Sequence, residues 1–520
     1  MQFNLADLFE AVADAVPDRE LLVCEGQRLT FAQFDERATR LAHVLTGHGV
    51  GAGDHVGLHL FNGNEYLEGM LACFKLRAVP INVNYRYVAD ELRYLFDDAD
   101  VRVVVSEPDL VGMLAEAGRA LVSVERGEPY ERALAAASPA RDFPARSADD
   151  LYILYTGGTT GRPKGVMWRQ EDIFFAAFGG GNPAGTPIER PEDIAERAVA
   201  GFQRCLPAPP FMHGAAQWMA WQVMLVGGSL VLSRRPRLDP TGLWDLVASE
   251  RVTLLGIVGD AFARPLVDAL DAAGPDRWDL SALTVVLSGG AILSPTLKEA
   301  LARLLPATLI VDAFGASETG GQGRLVAVPG SLPKRPSFAV DEHTTVLDDD
   351  HRPVTPGTGT VGWVARRGRI PVGYYKDEAR TARTFPVVDG VRWAVPGDRA
   401  VLEADGTITV LGRGSESINS GGEKVYPEEV EACLKAHPSV LDAVVVGVAD
   451  ERWGERVTAV VAVRPATPAP SLDELAEHCR SSLAGYKLPR RLVVVEEVVR
   501  SPSGKPDYRW ARQVASAPAG

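Results

Sequence analysis

Between Leu151 and Asp312 five short apolar runs, LYILY, SLVLS, TLLGIV, LTVVLSG and TLIVDAF, each end on glycine or a polar residue. Runs of that length bounded by turn residues read as strands, and the loops at their ends are where a ligand is met. The first 150 residues continue the theme, with LADLFEAVADAV, FDERATRLAHVLTGHG and EYLEGMLACFKLRA as amphipathic helices around strands HVGLHL and VRVVVSE. Alternation of this kind predicts an α/β body.

From Pro329 to Leu411 the text changes to Gly, Pro and Thr punctuation with short alternating segments such as TVGWVARR and TITVLG, which predicts a small antiparallel β region on that body. After GRGSESINSGG a helix opens at Pro427 (YPEEVEACLKAH). Strands LDAVVVGVAD and VTAVVAVRP, helix LDELAEHCRSSLA and strand RLVVVEEV follow, a compact α+β module of about a hundred residues. A chain of 520 residues also exceeds what one core organises. The expected division is a large domain over 1–412, a hinge at 413–417, a second domain over 418–510 and a flexible tail over 511–520, where ARQVASAPAG lacks an apolar period.

Composition removes several function classes. Lys plus Arg total 54 against 68 for Asp plus Glu, and a net charge of -14 disfavours a nucleic-acid partner. The five cysteines, Cys24, Cys73, Cys205, Cys433 and Cys479, are scattered and form no CxxC, so neither a disulfide framework nor a zinc site is expected. An acidic N-terminus lacks the pattern of a secretory signal, and even LLGIVGDAFARPL is broken by Asp260 and Arg264 before it could cross a bilayer. A cytoplasmic protein without a transmembrane segment is expected.

The stretch YTGGTTGRPKG, Tyr155 to Gly165, follows the run LYIL. Thr156, Gly157, Gly158, Thr159 and Thr160 would present amide and hydroxyl donors in a concave nest suited to phosphate oxygens, and Lys164 adds a positive charge. The order is not that of a Walker A loop, which disfavours a P-loop NTPase. On its own the segment could also be a flexible loop without a ligand.

This stretch resembles the phosphate loop of the adenylate-forming superfamily, which includes acyl-CoA synthetases, peptide-synthetase adenylation domains and beetle luciferases. The family's other signatures follow in its order, through to SPSGK near the C-terminus. The resemblance implies ATP, magnesium and coenzyme A as reactants and cofactor. It places His213, in LPAPPFMHGAAQW, in the acid and nucleotide pocket, and Gly289, Gly290 and Ala291, in SGGA, beside adenine or the acyl chain. In DAFGASETG, Asp312, Ala313, Phe314, Gly315 and Ser317 would line the nucleotide, with Phe314 in place of the usual stacking tyrosine. Glu318, together with Thr160, would hold magnesium. Asp398 and Arg413 would bind the ribose, and Lys505, in SPSGKPDYRW, would reach the reacting carboxylate and α-phosphate. Ser420, Gly421, Gly422 and Glu423 would line the pantetheine tunnel. Ser415 stands where the family hinge has Asp or Lys.

The wording VMWR, IPVGYYKDE, SINSGGEKVYPEEVE and SPSGKPDYRW is similar to that of actinobacterial acyl-CoA synthetases acting on steroid side chains and other bulky acids. Between Phe211 and Gly228 no cation offers itself to a charged substrate tail. Gln217, Trp218 and Trp221, with Met219, Met224, Gly259 and Gly289, could form an apolar acyl pocket, or the aromatics could equally be core. A carrier-loading acyl-AMP ligase, and an enzyme that performs only the thioester half-reaction, would share these motifs; a homodimer also stays open.

Overall fold

The computed structural model describes residues 1–118, 121–156, 162–183, 185–201, 203–274, 276–327, 337–420, 423–450, 452–480, 482–501 and 504–517. It is a mixed α/β protein with a large N-terminal lobe and a small C-terminal one.

The spine of the large lobe is a sheet with 15 described strands. Six of its strands are mutually parallel, in the spatial order Glu20–Cys24, Ser229–Leu232, Arg204–Pro207, Leu254–Ile257, Val285–Gly289 and Leu309–Ala316. Their C-terminal ends lie on one edge, so the loops that carry His213, Gly259, Gly290 and Glu318 all leave from the same side. This is where open α/β sheets bind ligands. Beyond Leu309–Ala316 the sheet turns antiparallel through Gly320–Ala327, Ser337–Val340, Ile408–Arg413, Asp398–Leu402 and Val361–Arg367. The antiparallel region expected after Pro329 is therefore continuous with the main sheet.

Strand Leu151–Thr156, the LYILY run, sits instead in a separate three-stranded sheet, antiparallel to Lys164–Arg169, which in turn pairs with Gly373–Tyr374. A third sheet, of parallel strands Val79–Asn82, His55–His59, Val103–Ser106 and Val122–Glu125, completes the lobe.

The chain leaves the large sheet at Arg413, makes one turn of 3-10 helix at Gly414–Glu416 and enters the small lobe's sheet at Ile418. Alternation along the hairpin Val440–Asp450 and Gly454–Val463 serves two layers. Ala443, Val445, Val457, Ala459 and Val461 pack under helices Pro427–Lys435 and Leu472–Arg480. Val444, Val446, Val460 and Ala462 face the opposite way, under helix Tyr508–Ser516.

That last helix corrects the expected flexible tail. Residues 508–516 are helical, Asp507 caps the helix by accepting from the Trp510 amide, and Tyr508, Ala511 and Ala515 are buried against the sheet. Alanines at i and i+4 are too small to register as an apolar stripe, yet they let a helix lie close on the valines beneath.

No helix among the described residues is long and apolar enough to cross a membrane. Because Ala511 is sealed between helix and sheet, Ala511→Asp strands a carboxylate without a partner and should lower stability by about 3 kcal/mol in urea unfolding. Gln513→Asp on the exposed side of the same helix should stay within about 0.5 kcal/mol of the parent; equal effects at the two positions would contradict the buried packing.

Candidate functional site

Asn82, at the end of its strand, ties two of the site's loops together. Its Nδ2 donates to the Tyr155 carbonyl at 2.8 Å and to the Met212 carbonyl at 2.7 Å, and its Oδ1 accepts from the Tyr155 amide at 2.8 Å. The strand that ends at Thr156 and the turn that carries His213 are thus fixed to each other. Nothing in the sequence marked Asn82, since its partners are backbone groups more than seventy residues away. The expected phosphate-loop residues Gly157, Gly158, Thr159 and Thr160 lie outside the described residues; Thr156 pairs with Lys164 across the base of that loop.

A charged centre forms where Lys164, Glu318 and Tyr374 meet. Glu318 is buried, accepts from the Tyr374 hydroxyl at 2.7 Å and lies 3.3 Å from Lys164 Nζ. Lys164 also donates to the Tyr374 oxygen at 3.1 Å. Burial pushes the Glu318 carboxyl up, but Lys164, Arg413 and the Tyr374 hydrogen bond outweigh it and hold the group below its ordinary value. It is an anion at neutral pH. Enclosure lowers Lys164 despite the pull of Glu318. Tyr374 was missed from sequence, although GYYKDE advertised a tyrosine pair there.

Beside this centre Asp398 and Arg413 face each other across antiparallel strands, with Nε to Oδ1 at 2.9 Å. Arg413 also donates to the Pro396 carbonyl at 2.9 Å. Lys505, from the small lobe, lies within electrostatic reach of Arg413, Glu318, Asp398 and Lys164. As a whole residue Lys505 is exposed, yet its ammonium is surrounded by protein atoms. That enclosure first, and the neighbouring Arg413 second, push its pKa below the usual lysine value. Five residues singled out by sequence, Lys164, Glu318, Asp398, Arg413 and Lys505, therefore do converge.

His213 is the N-cap residue of helix Gly214–Leu225. Burial, then Lys505 and Arg86, depress its imidazole to about 3, so it is neutral throughout the physiological range. Its Nε2 is buried without a partner among the described residues. Gly289 and Gly290 end their strand beside open space, the nearest atoms to a side chain at Gly290 being Ala215 Cβ at 3.9 Å and Val258 Cγ1 at 4.0 Å. Gly259 cannot be replaced so easily: φ is +52° and a Cβ would stand 2.4 Å from the Ile292 carbonyl. Ala291 and Ala313 lie in the same strand-end layer, and the Ser317 carbonyl accepts from Trp168 Nε1 at 2.9 Å.

Several expectations are corrected here. Trp221 is fully buried in the core, packed on Phe9, Phe74 and Phe178, and does not line a pocket. Gln217 is likewise consumed, accepting from Tyr152 and donating to Tyr66 and the Phe211 carbonyl. Met219 and Met224 are buried too, and of the pocket residues expected on this helix Trp218 alone stays half-buried. A helix apolar on every side must be a core helix, so its aromatics could not all face a ligand. Asp312 points to the helix side of the sheet, 2.6 Å from Lys298 Nζ, with burial raising it to about 6. Its carboxylate is unavailable to a nucleotide. Phe314 is half-buried and stacks on Phe338 at 5.3 Å. At Gly315 a Cβ would lie 2.3 Å from the Gly320 carbonyl, which explains the glycine by packing.

Ser415 is exposed in the connecting 3-10 turn, and Ser420 is buried in the small lobe with Arg490 Nη1 at 3.4 Å from its Oγ. Glu423 is exposed; Gly421 and Gly422 lie outside the described residues. Glu428 closes the connection, accepting from the Arg413 amide at 3.1 Å and filling the space that a side chain at Gly412 would need. Its Oε2 is buried with no partner among the described residues, and burial, with Glu431 nearby, pushes its carboxyl up to about 8.

Residues 9–375 match the family model described as AMP-binding enzyme, and residues 429–505 match that of the AMP-binding enzyme C-terminal domain. The chain is similar to 3-oxocholest-4-en-26-oate--CoA ligase of Rhodococcus rhodochrous, 48% identical with 98% of this chain and 96% of that protein covered. It is 49% identical to a medium/long-chain-fatty-acid--CoA/3-oxocholest-4-en-26-oate--CoA ligase of Mycobacterium marinum, over 99% and 97%. In fold it matches the crystal structure of the anthranilate CoA ligase AuaEII in complex with anthranoyl-AMP, with a TM-score of 0.85, 22% identity and coverage of 98% and 97%.

Glu428 yields a pH prediction. A carboxyl whose pKa rises from its usual 4.5 to about 8 on folding is packed without penalty below 4.5, and the stability it leaves is lost as pH climbs through 8. Glu428→Gln should match the parent's melting temperature at pH 5 and exceed it by several degrees at pH 8.5. A difference that does not grow with pH would rule out the buried neutral carboxyl.

Proposed function

Since the chain belongs to the AMP-binding enzyme family, we propose that it is an acyl-CoA synthetase that joins a bulky hydrophobic carboxylic acid to coenzyme A through an acyl-adenylate, turning ATP into AMP and diphosphate. One observation carries the reading: Lys505 of the small lobe shares a cleft with Lys164, Glu318, Asp398 and Arg413 of the large lobe.

The first half-reaction brings an anionic acid onto the α-phosphorus of a polyanion, and repulsion must be cancelled before geometry can help. Lys164 and Lys505 supply fixed positive charge from opposite walls, with no reorganisation when charge develops. We assign Asp398 to accept from the two ribose hydroxyls; Arg413, held by Asp398 and the Pro396 carbonyl, would keep that carboxylate oriented. His213, being neutral, can line the acid without adding a competing charge.

Magnesium fits this donor set. Both contacts of the buried Glu318 fall on Oε1, so a second hard oxygen remains on an anion beside the phosphate loop, and Thr160 would be its partner. When bound, the cation would neutralise phosphate charge.

In the second half-reaction the thiol of coenzyme A attacks the activated carbonyl and AMP leaves, which asks no nucleophile of the protein. The loop Ser420–Glu423 is our candidate for the pantetheine path. Rotation about 413–417, with Ser415 at its centre, would bring it in, so the mobile unit is the lobe from 418 through the final helix. Coenzyme A is favoured over a carrier protein because the relatives at 48% and 49% identity bear the name of CoA ligases. The five free thiols suit a reducing cytoplasm.

For the acid, the small residues Gly289, Gly290 and Ala215, with Val258 and the half-buried Trp218, are our candidates for an apolar wall. The steroid and fatty acids in the relatives' names are of matching character. Incubation with ATP, magnesium, coenzyme A and steroid side-chain, terpenoid and fatty acids, followed by mass spectrometry, should give the acyl-CoA and AMP. Lys505→Ala should slow acyl-adenylate formation by about a hundredfold or more, while thioester formation from supplied acyl-adenylate persists. ADP as product, or adenylate made at the parent rate by the variant, would sink the reading.

A further inference from the structure

Asp260 and Lys435 belong to different lobes, and both are buried. Asp260 is in the first turn of helix Gly259–Ala273; its Oδ1 accepts from the Ser294 amide at 2.7 Å and its Oδ2 lies 2.9 Å from Lys435 Nζ. Lys435 is the last residue of helix Pro427–Lys435. The same first turn of the large-lobe helix also receives the Lys505 loop: a side chain at Gly504 would stand 3.1 Å from Ala261 Cβ and 3.3 Å from the Val258 carbonyl.

Arg500 links the two contacts within the small lobe. It grips Asp442 with two hydrogen bonds of 2.7 Å and donates to the Gly504 carbonyl at 3.0 Å. The loop then closes on itself, the Gly504 amide reaching the Ser501 carbonyl and the Ser501 amide the Lys505 carbonyl, each at 2.8 Å. Besides Asp260, the charged groups around Lys435 are Arg500, Asp442 and Glu431, all from its own lobe. Asp260 is thus the anion the large lobe offers it.

We propose that the Asp260–Lys435 pair is a positioning latch for adenylate formation: it docks the small lobe so that Lys505 reaches the cleft, and it must open before the lobe can turn to thioester formation. The inference rests on the proposed two-step reaction. A pair that exists in one lobe arrangement only biases the population toward that arrangement by the whole of its own free energy. Neither residue touches the reactants, so loss of the pair should act on one half-reaction and not on both.

Asp260→Asn keeps the acceptor for the Ser294 amide and removes the ion pair; Lys435→Met removes it from the other side; Lys435→Arg preserves it. With ATP, magnesium and either dodecanoate or a steroid side-chain acid, acyl-AMP formation without coenzyme A should fall about tenfold in the first two variants and recover in Lys435→Arg. Thioester formation from supplied acyl-adenylate should hold or rise. Hydrogen exchange, which needs no turnover, should quicken at 504–507 and 259–263 while global melting barely moves. Equal loss of both half-reactions, or unchanged exchange at those segments, would overturn the latch. If the parent itself makes no adenylate, the two-step reading fails, and the exchange data still decide whether the pair docks the lobe.

Discussion

Cations held together in a partly enclosed cleft repel one another, and both lobes are arranged around that constraint. Lys164, Arg413 and Lys505 would drift apart in water; here Glu318 and Asp398 are buried among them as counter-charges, and each anion is itself fixed by a hydrogen bond or a strand register. The depressed lysines record the cost of that assembly. A polyanionic nucleotide would relieve it, so the site is tensioned toward its ligand in a way that a solvated patch of the same composition is not.

The parts of this arrangement that were legible in sequence share a property: their chemistry is displayed by local order. A lysine after a Gly/Thr loop, a glutamate closing an apolar strand, and an aspartate and an arginine at the ends of neighbouring segments all stand at or next to strand ends: Glu318 follows a parallel strand, Lys164 opens a strand of the separate antiparallel sheet, and Asp398 and Arg413 face each other at the ends of an antiparallel pair. The α+β module at the C-terminus was equally plain, because the apolar runs of LDAVVVGVAD and VTAVVAVRP are continuous and longer than most strands.

What the sequence hid depends on partners far along the chain. Trp221 and Gln217 stand next to the informative His213, but helix Gly214–Leu225 is apolar all round and only the fold decides which side meets the cleft. Asp312 lies within a motif of nucleotide-lining residues, yet strand alternation turns its side chain to Lys298 on the other face. Asn82 organises two site loops through backbone groups alone, which no pattern of side chains can announce. The final helix escaped because alanine carries too little apolar area to be seen as a stripe, although close approach to the valine sheet makes small residues the right ones there.

The connection between lobes shows why so few residues separate them. Arg413 belongs at once to the large sheet, to the Asp398 pair and, through its amide, to Glu428 of the first small-lobe helix. Ser415 is exposed and makes no comparable commitment. The proposed rotation would therefore be confined to the residues after Arg413, since anything earlier would pull Asp398 out of register. Gly412, with φ of +129° and Glu428 where its side chain would be, sits beside an irregularity in the pairing, where Leu411 is skipped between the Arg399–Gly412 and Ala400–Val410 partners. A hinge at the proposed place, directly behind the Asp398–Arg413 pair, would swing the Lys505 loop away while that pair stays fixed, and the proposed two-step reaction on a single bound nucleotide requires that separation.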